Sequence, residues 1–391
     1  MANKMAYPSA REILDALVGF PTVSRDTNLP LIDWVEDYLT SLGITAHRVP
    51  KEGDPTKHAL FCSVGPDAPG GIVLSGHTDV VPVDGQDWSS DPWVVTERDR
   101  KLFGRGTCDM KGFDALALHA LQKAVNSDLK RPFQVALSFD EEIGCTGAPP
   151  LVAAMQDTIP KAELAIIGEP SMMKCVTGHK GTIGYDIHVR GYEVHSSLLH
   201  TGVNAIMSGA ELITWATARN AENRAAKPDA LAEIFEPPWT TLHTGQIKGG
   251  TAHNITAADC FFDIEFRFTP DAEVEYWKAQ FLGKVAEIEE RMKAVNPKAG
   301  ITLEPSFDVP GLRPETDGAA EAYVRAITGD NATHVVSYGT EAGHFQHAGY
   351  SAVVCGPGNI EQAHQADEFI SIAQFKAGEA FLSKVVDTLC S

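Results

Sequence analysis

Over the first 180 residues the apolar positions alternate between two rhythms. Residues 9–18 (SAREILDALV), 31–42 and 110–126 (MKGFDALALHALQKAVN) repeat apolar side chains at helical spacing and are predicted as helices. GIVLSG at 71–76, FQVALSF at 133–139 and ELAIIG at 163–168 are short, mostly apolar runs, predicted as buried strands, with a helix between the last two. Strand-helix-strand alternation predicts a mostly parallel sheet with right-handed crossovers. The middle of the chain changes character. TIGYDIHVRG (182–191) alternates, 204–221 is helical, TLHTGQIKG and CFFDIEFRF read as strands, 272–295 as a long charged helix and ITLEPSFDV as a strand. That order is βαββαβ, the ferredoxin-like split unit. In CFFDIEFRF, Cys260, Phe262, Ile264, Phe266 and Phe268 share one face and Asp263, Glu265 and Arg267 the other, so this sheet is expected to be covered on one side only. From about 311 the first rhythm resumes: a helix near 316–328, strands HVVSYG and SAVVCG, and a last helix over about 369–388. The expectation is an α/β domain of residues 1–180 and 311–391 with residues 181–310 inserted into it.

Composition narrows the function classes. With 43% hydrophobic and 21% charged residues the 391-residue chain reads as a soluble globular protein of two domains. A net charge of −20 argues against nucleic acid or an anionic membrane as partner. The first 20 residues lack a continuous apolar core and a small-residue cleavage site, and no apolar run reaches the length of a membrane span. Seven scattered cysteines without a C-x-x-C pair predict neither a disulfide framework nor a thiolate zinc site, so a reducing cytoplasm fits.

The chemistry is carried by five ligand-type side chains: His77, Asp109, Glu142, Glu169 and His364. Three carboxylates and two imidazoles can hold two divalent ions with one ligand shared. Singly, each has a plain alternative. Asp109 after the glycine-rich GRG turn is also a good helix cap, Glu169 in IIGEPS fits a surface turn, and His364 in QAHQADE fits a solvated loop. Together they fall at strand ends of one α/β unit, where open sheets place their sites, and a sulfur-free, carboxylate-rich set suits zinc, cobalt or manganese. Asp79, two residues after His77, is a candidate to orient that imidazole. Asp140, Glu141 and Glu142 are three successive acids that would repel one another without a nearby cation. Neighbours in an extended segment point in opposite directions, so one of the pair Glu141 and Glu142 can ligate while the other faces substrate.

Read as a set, SGHTDVVPVDGQDW, GRGTCDMKGF, DEEIGCTGA, IIGEPS, GHKG, EVHSS, YGTEAGHFQ and CGPGNIEQAHQADEF resemble the co-catalytic di-zinc exopeptidase and deacylase superfamily over nearly the whole chain. GHTDVVPVDGQDW, GRGTCDMKGF and CGPGNIEQAH look most like its acetylornithine deacetylase branch. The resemblance implies a zinc-exopeptidase-like catalytic domain with an inserted lid and dimerisation domain. It also implies two divalent ions per chain, Zn2+ foremost and Co2+ as a substitute. His77, Asp109 and Glu169 would hold one ion and Asp109, Glu142 and His364 the other, with Glu141 as general base and Asp79 orienting His77. His195 of EVHSS matches a histidine that reaches a neighbouring subunit's site, implying a homodimer. Asn254, Arg267, Gly339 and Thr340 would lie near a substrate carboxylate, although Arg267 has an alternative partner in Asp263 or Glu265. The implied reaction is removal of acetyl from N-acetyl-L-ornithine to give ornithine and acetate, a step of arginine biosynthesis. Deacylation of other N-acyl-amino acids, a dipeptidase or carboxypeptidase activity, and a non-catalytic binding role are the alternatives.

Overall fold

The computed structural model of the protein describes residues 7–272 and 274–391. They form two compact units: one runs to Gly178 and resumes over Leu312–Val335 and Thr340–Ser391, the other comprises His179–Gly311 and Val336–Gly339.

The first unit is built on an eight-stranded mixed sheet. Its order is Ala46–Lys51, Asp54–Val64, Phe133–Ser138, Ile72–His77, Leu164–Pro170, Ser351–Gly356, Val176–His179 and His334–Val336. The four strands from Phe133–Ser138 to Ser351–Gly356 are mutually parallel. Antiparallel pairings flank them on both sides. Every residue of Ile72–His77, Phe133–Ser138 and Leu164–Pro170 is buried, which explains their mostly apolar runs: parallel strands are covered on both faces. Helices Ala10–Val18, Lys111–Ala124 and Ile372–Thr388 pack side by side, and Ala148–Thr158 packs with Ala342–His347. The parallel strands deliver His77, the Asp140–Glu142 turn and Glu169 to one end of the sheet, and that end carries the site.

Three features escaped the sequence pattern. The hairpin of Ala46–Lys51 and Asp54–Val64 forms the sheet edge, and its outer strand is only half-buried, so it leaves no apolar run to read. Thr96–Arg98, Lys101–Phe103 and Phe369–Ser371 make a small separate sheet. The short helix Ala342–His347 lies in YGTEAGHFQ, too brief to show a period.

The second unit is an antiparallel sheet in the order Thr241–His243, Asp259–Phe268, Gly181–Arg190 and Gly300–Val309, with Ile247–Gly249 also paired to Asp259–Phe268. Helices Ala205–Ala225 and Val274–Val295 supply Leu212, Phe281 and Ile288 to a core shared with Cys260, Phe262, Ile264, Phe266 and Phe268. Phe261, between two of these, is 50% exposed, so the period-2 alternation holds and one face of the sheet stays open. The segment TLHTGQIKG makes two short strands instead of one. Its break is held by Asp263, whose carboxylate accepts the amides of Gly245 and Gln246 at 2.8 Å each. Among the described residues no helix is long and apolar enough to cross a membrane. All seven cysteines are free.

Candidate metal centre

His77 closes the strand Ile72–His77 and is 1% exposed. Its Nδ1 donates to the Asp79 carbonyl oxygen at 2.9 Å, which fixes the ring with Nε2 turned toward the carboxylates. That Nε2 lies 3.1 Å from Asp109 Oδ1, 3.6 Å from Glu169 Oε1 and 3.9 Å from Glu141 Oε2. The other oxygen of Asp109 is 3.2 Å from His364 Nε2, and the same nitrogen is 2.9 Å from Glu142 Oε2. Asp109 therefore turns one carboxylate oxygen to each imidazole, with Glu169 on the His77 side and Glu142 on the His364 side. Two triads, His77 with Glu141 and Glu169 and His77 with Asp109 and Glu142, have ligand atoms within 4.8 Å of one another.

The electrostatics describe a site short of positive charge. Burial pushes the Glu141 carboxyl up to about 8, with Glu142 and Asp109 adding to it. Burial and Asp109 raise Glu142 to about 7, and burial with Asp109 and Glu141 holds Glu169 well above the usual carboxylate range. The hydrogen bonds to Asp109 and Glu142 lift the His364 imidazole to about 10. Burial alone would raise Asp109 too, but the hydrogen bonds from His364 and His77 hold it low. Glu142 Oε1 and Glu169 Oε1 are buried without a hydrogen-bond partner. Orphaned carboxylate oxygens, crowded acids and an all-nitrogen-and-oxygen donor set fit divalent cations.

Around these groups stand supporting residues, of which spacing singled out Asp79 and Asp140 but not Ser24, Lys51, Lys57, Arg105, Glu341 or Glu368. The Asp79 carboxylate comes only within 3.6 Å of His77 Nδ1. It accepts instead from Ser24 Oγ at 2.6 Å and from the amides of Glu141 and Glu142 at 3.1 and 3.3 Å. Asp79 thus reaches His77 through its carbonyl and serves the acidic turn with its carboxylate. Asp140, fully buried, pairs with Lys51 Nζ at 2.6 Å and with Lys57, so of the three successive acids it is the one neutralised by lysines, while Glu141 and Glu142 are not. Glu368 accepts the amides of Cys108 and Asp109 at 2.9 and 3.0 Å and pairs with buried Arg105 at 2.6 Å. Arg105 also donates to Gln365 O at 3.4 Å, so one ion pair ties the Asp109 turn to the His364 loop. Arg105 lies inside GRG and Glu368 ends QADE, yet nothing in either motif reveals that they meet. Gly106 sits at φ +83 with the Val80 and Lys111 side chains 3.0 Å from where a Cβ would lie, so a larger residue there would be strained. Glu341 is buried with its carboxylate on Ser75 Oγ at 3.1 Å, and burial lifts it to about 7.

The remaining candidates are dispersed. His195 is exposed in the second unit; its Nδ1 accepts from the Ser197 amide at 3.2 Å, so the neutral ring carries its proton on Nε2. Asn254, also exposed, accepts the Ser196 amide on its carbonyl at 2.9 Å, which makes His195 and Asn254 neighbours. Arg267 is ion-paired with Glu265. Gly339 ends the short second-unit segment. Thr340 is buried in the first unit, its hydroxyl accepting the Ala342 amide at 3.1 Å at the start of a short helix.

Comparison with known proteins fits this geometry. Over 398 residues the chain is 34% identical to the acetylornithine deacetylase of Myxococcus xanthus, covering 98% of each. Its fold matches an M20 family metallo-carboxypeptidase, Sso-CP2 from Sulfolobus solfataricus, with a TM-score of 0.77 at 16% identity, over 98% of this chain and 99% of that one. It also matches YXEP of Bacillus subtilis, a dinuclear metal binding peptidase from the M20 family, with a TM-score of 0.64 at 13% identity and 97% of each chain covered. Residues 73–388 match the model of peptidase family M20/M25/M40, and the chain therefore belongs to that family and is a hydrolase acting on amide bonds.

Proposed function

We propose that the protein is a two-metal amidohydrolase that removes the acetyl group from N-acetyl-L-ornithine. The observation that carries this reading is the division of Asp109 between His77 and His364, with Glu169 and Glu142 on either side and Glu141 beside them. His77, Asp109 and Glu169 would hold one divalent ion and Asp109, Glu142 and His364 the other. When bound, two such ions, Zn2+ foremost and Co2+ as a substitute, polarise an amide carbonyl and acidify an attacking water. Glu141 takes the proton of that water on its carboxylate and delivers it to the leaving nitrogen. Asp79 fixes both the imidazole of His77 and the amides of Glu141 and Glu142. His195 donates from Nε2 to the oxygen on which negative charge develops, and it does so in the site of a second copy of the chain. Asn254, Arg267, Gly339 and Thr340 form the surroundings of the substrate carboxylate, Arg267 by exchanging Glu265 for it. Free cysteines support a reducing cytoplasm as the setting.

The choice of acetylornithine over other acyl-amino acids and dipeptides rests on the Myxococcus xanthus relative. Amine release by the metal-loaded protein from N-acetyl-L-ornithine, a panel of N-acetyl-amino acids and a set of dipeptides tests it. We expect kcat/KM for acetylornithine to exceed the rest about tenfold or more, the discrimination available from side-chain contacts. A dipeptide at the top of the ranking overturns the substrate, and no amide cleavage at all overturns the reaction.

A further inference from the structure

The acids at the end of Phe133–Ser138 belong to a ring of contacts that reaches well beyond the ligands. Lys57, on the strand Asp54–Val64, is 6% exposed. Its ammonium has two acceptors, the Asp140 carboxylate and the Ser24 carbonyl oxygen. Ser24, 4% exposed, turns its hydroxyl onto Asp79 Oδ2 at 2.6 Å, and its amide donates to Val80 O at 3.2 Å. The Asp79 carboxylate accepts the amides of Glu141 and Glu142, the two residues that follow Asp140. The circuit Lys57, Asp140, Glu141 and Glu142, Asp79, Ser24 and back to Lys57 is closed, and its members come from four separate segments of the first unit. Asp140 sits at φ +54, a backbone setting that side chains other than glycine adopt reluctantly, so its carboxylate needs firm partners to hold the turn there.

We propose that Lys57 is a positioning residue for amide hydrolysis: through Asp140 and Ser24 it closes this buried ring and so sets where Glu141 and Asp79 point. Lys57 touches neither substrate nor the reacting atoms. Lys51 also pairs with Asp140, but its side chain is 31% exposed and it closes no circuit. The proposal rests on the reading of Glu141 as base, because a ring that aligns Glu141 matters to turnover only if Glu141 moves the proton. A base displaced by about 1 Å costs on the order of a hundredfold in rate while leaving substrate affinity nearly alone.

Three variants and three readouts, kinetics, melting temperature and hydrogen exchange, test it. Lys57→Met should lower kcat about 10- to 100-fold with KM within about twofold. Ser24→Ala opens the ring at its other side without stranding a charge, since Asp79 keeps both amides, and should lower kcat roughly three- to tenfold with the same flat KM. Lys57→Met combined with Asp140→Asn removes the carboxylate that the single change leaves to Lys51 alone. Its melting temperature should recover toward wild type while its kcat stays low, a split that a merely structural lysine would not produce. Hydrogen exchange over residues 139–146 should quicken in Lys57→Met and in Ser24→Ala. If Lys57→Met does not fold, Ser24→Ala and the double variant decide. Recovery of kcat along with melting temperature in the double variant, or unchanged exchange and kcat within about twofold in Ser24→Ala, overturns the proposal. If the wild type cleaves no amide in the panel, the functional reading fails by itself, and the exchange measurement still decides whether Lys57 holds the turn.

Discussion

In the first unit Asp79, Asp109, Asp140, Glu169 and Glu368 are each 5% exposed or less, and every one of them faces an imidazole, an ammonium, a guanidinium or a pair of backbone amides. In the second unit His195 and Asn254 lie exposed, and Arg267 is occupied by Glu265. Buried acids are costly to hold and respond strongly to the loss of a partner, whereas exposed groups are held loosely and cost little to remove. The first unit can therefore preorganise charge for chemistry by itself. The candidates of the second unit are exposed or, for Arg267, paired within their own sheet. Substitutions in the two units should consequently fail in different ways, and the following experiments test that contrast.

The largest effect is expected at Glu141. Glu141→Gln keeps the size and the backbone amide that bonds Asp79 while removing the proton acceptor. Turnover should fall by about three to four orders of magnitude, the upper range for loss of a general base, with metal content staying near two ions per chain. Turnover that survives would sink the base assignment. Loss of metal along with turnover would instead make Glu141 a ligand, as its place in the triad with His77 and Glu169 allows, and the division of labour with Glu142 would go.

The same contrast decides what could be read from the sequence. The strands Ile72–His77, Phe133–Ser138 and Leu164–Pro170 are buried throughout, so each left a mostly apolar run, and the candidate ligands stood out at or just beyond their ends. The second unit's alternation was equally plain in CFFDIEFRF, because one face is open. What holds the ligands in place was not legible. Lys57 lies in DPTKHALFCSV, Ser24 in a turn after the first helix, and Arg105 and Glu368 are 263 positions apart in the chain. Such partners are chosen by three-dimensional proximity and leave no periodicity. The acid triplet did require a cation nearby, but only the fold shows that Lys51 and Lys57 provide one to Asp140. His195 was legible only by resemblance; within its own unit its bonding to Ser197 defines a tautomer and no more.

His195→Ala should cost about two to three orders of magnitude in kcat, the range for losing one oxyanion donor, with metal content and melting temperature unchanged. That pattern, activity lost and stability kept, is what an exposed group predicts. Mixing sharpens it. If His195 serves a second copy of the chain, a dimer of one Glu141→Gln chain and one His195→Ala chain contains one complete site. Coexpression of the two in equal amounts should then restore about a quarter of wild-type activity, since about half the dimers are mixed and each has one working site. Activity no higher than either variant alone places His195 in its own chain's site or removes it from the reaction.

The smallest effect concerns Arg267. Its guanidinium is paired with Glu265 on the open face of the second unit's sheet, with side chains 37% and 22% exposed. A pair so placed contributes about 0–1 kcal/mol. If Arg267 receives the substrate carboxylate, it must give up Glu265 first, and that competition weakens binding by the same amount. Glu265→Gln removes the competitor and leaves the guanidinium in place. KM should therefore fall, by up to about fivefold for 1 kcal/mol, with kcat unchanged. An unchanged KM in Glu265→Gln, together with an unchanged KM in Arg267→Ala, would assign the arginine to its own sheet. The comparison of the two units would then be starker: the second unit's candidates would come down to Gly339 and the loop that carries His195 and Asn254.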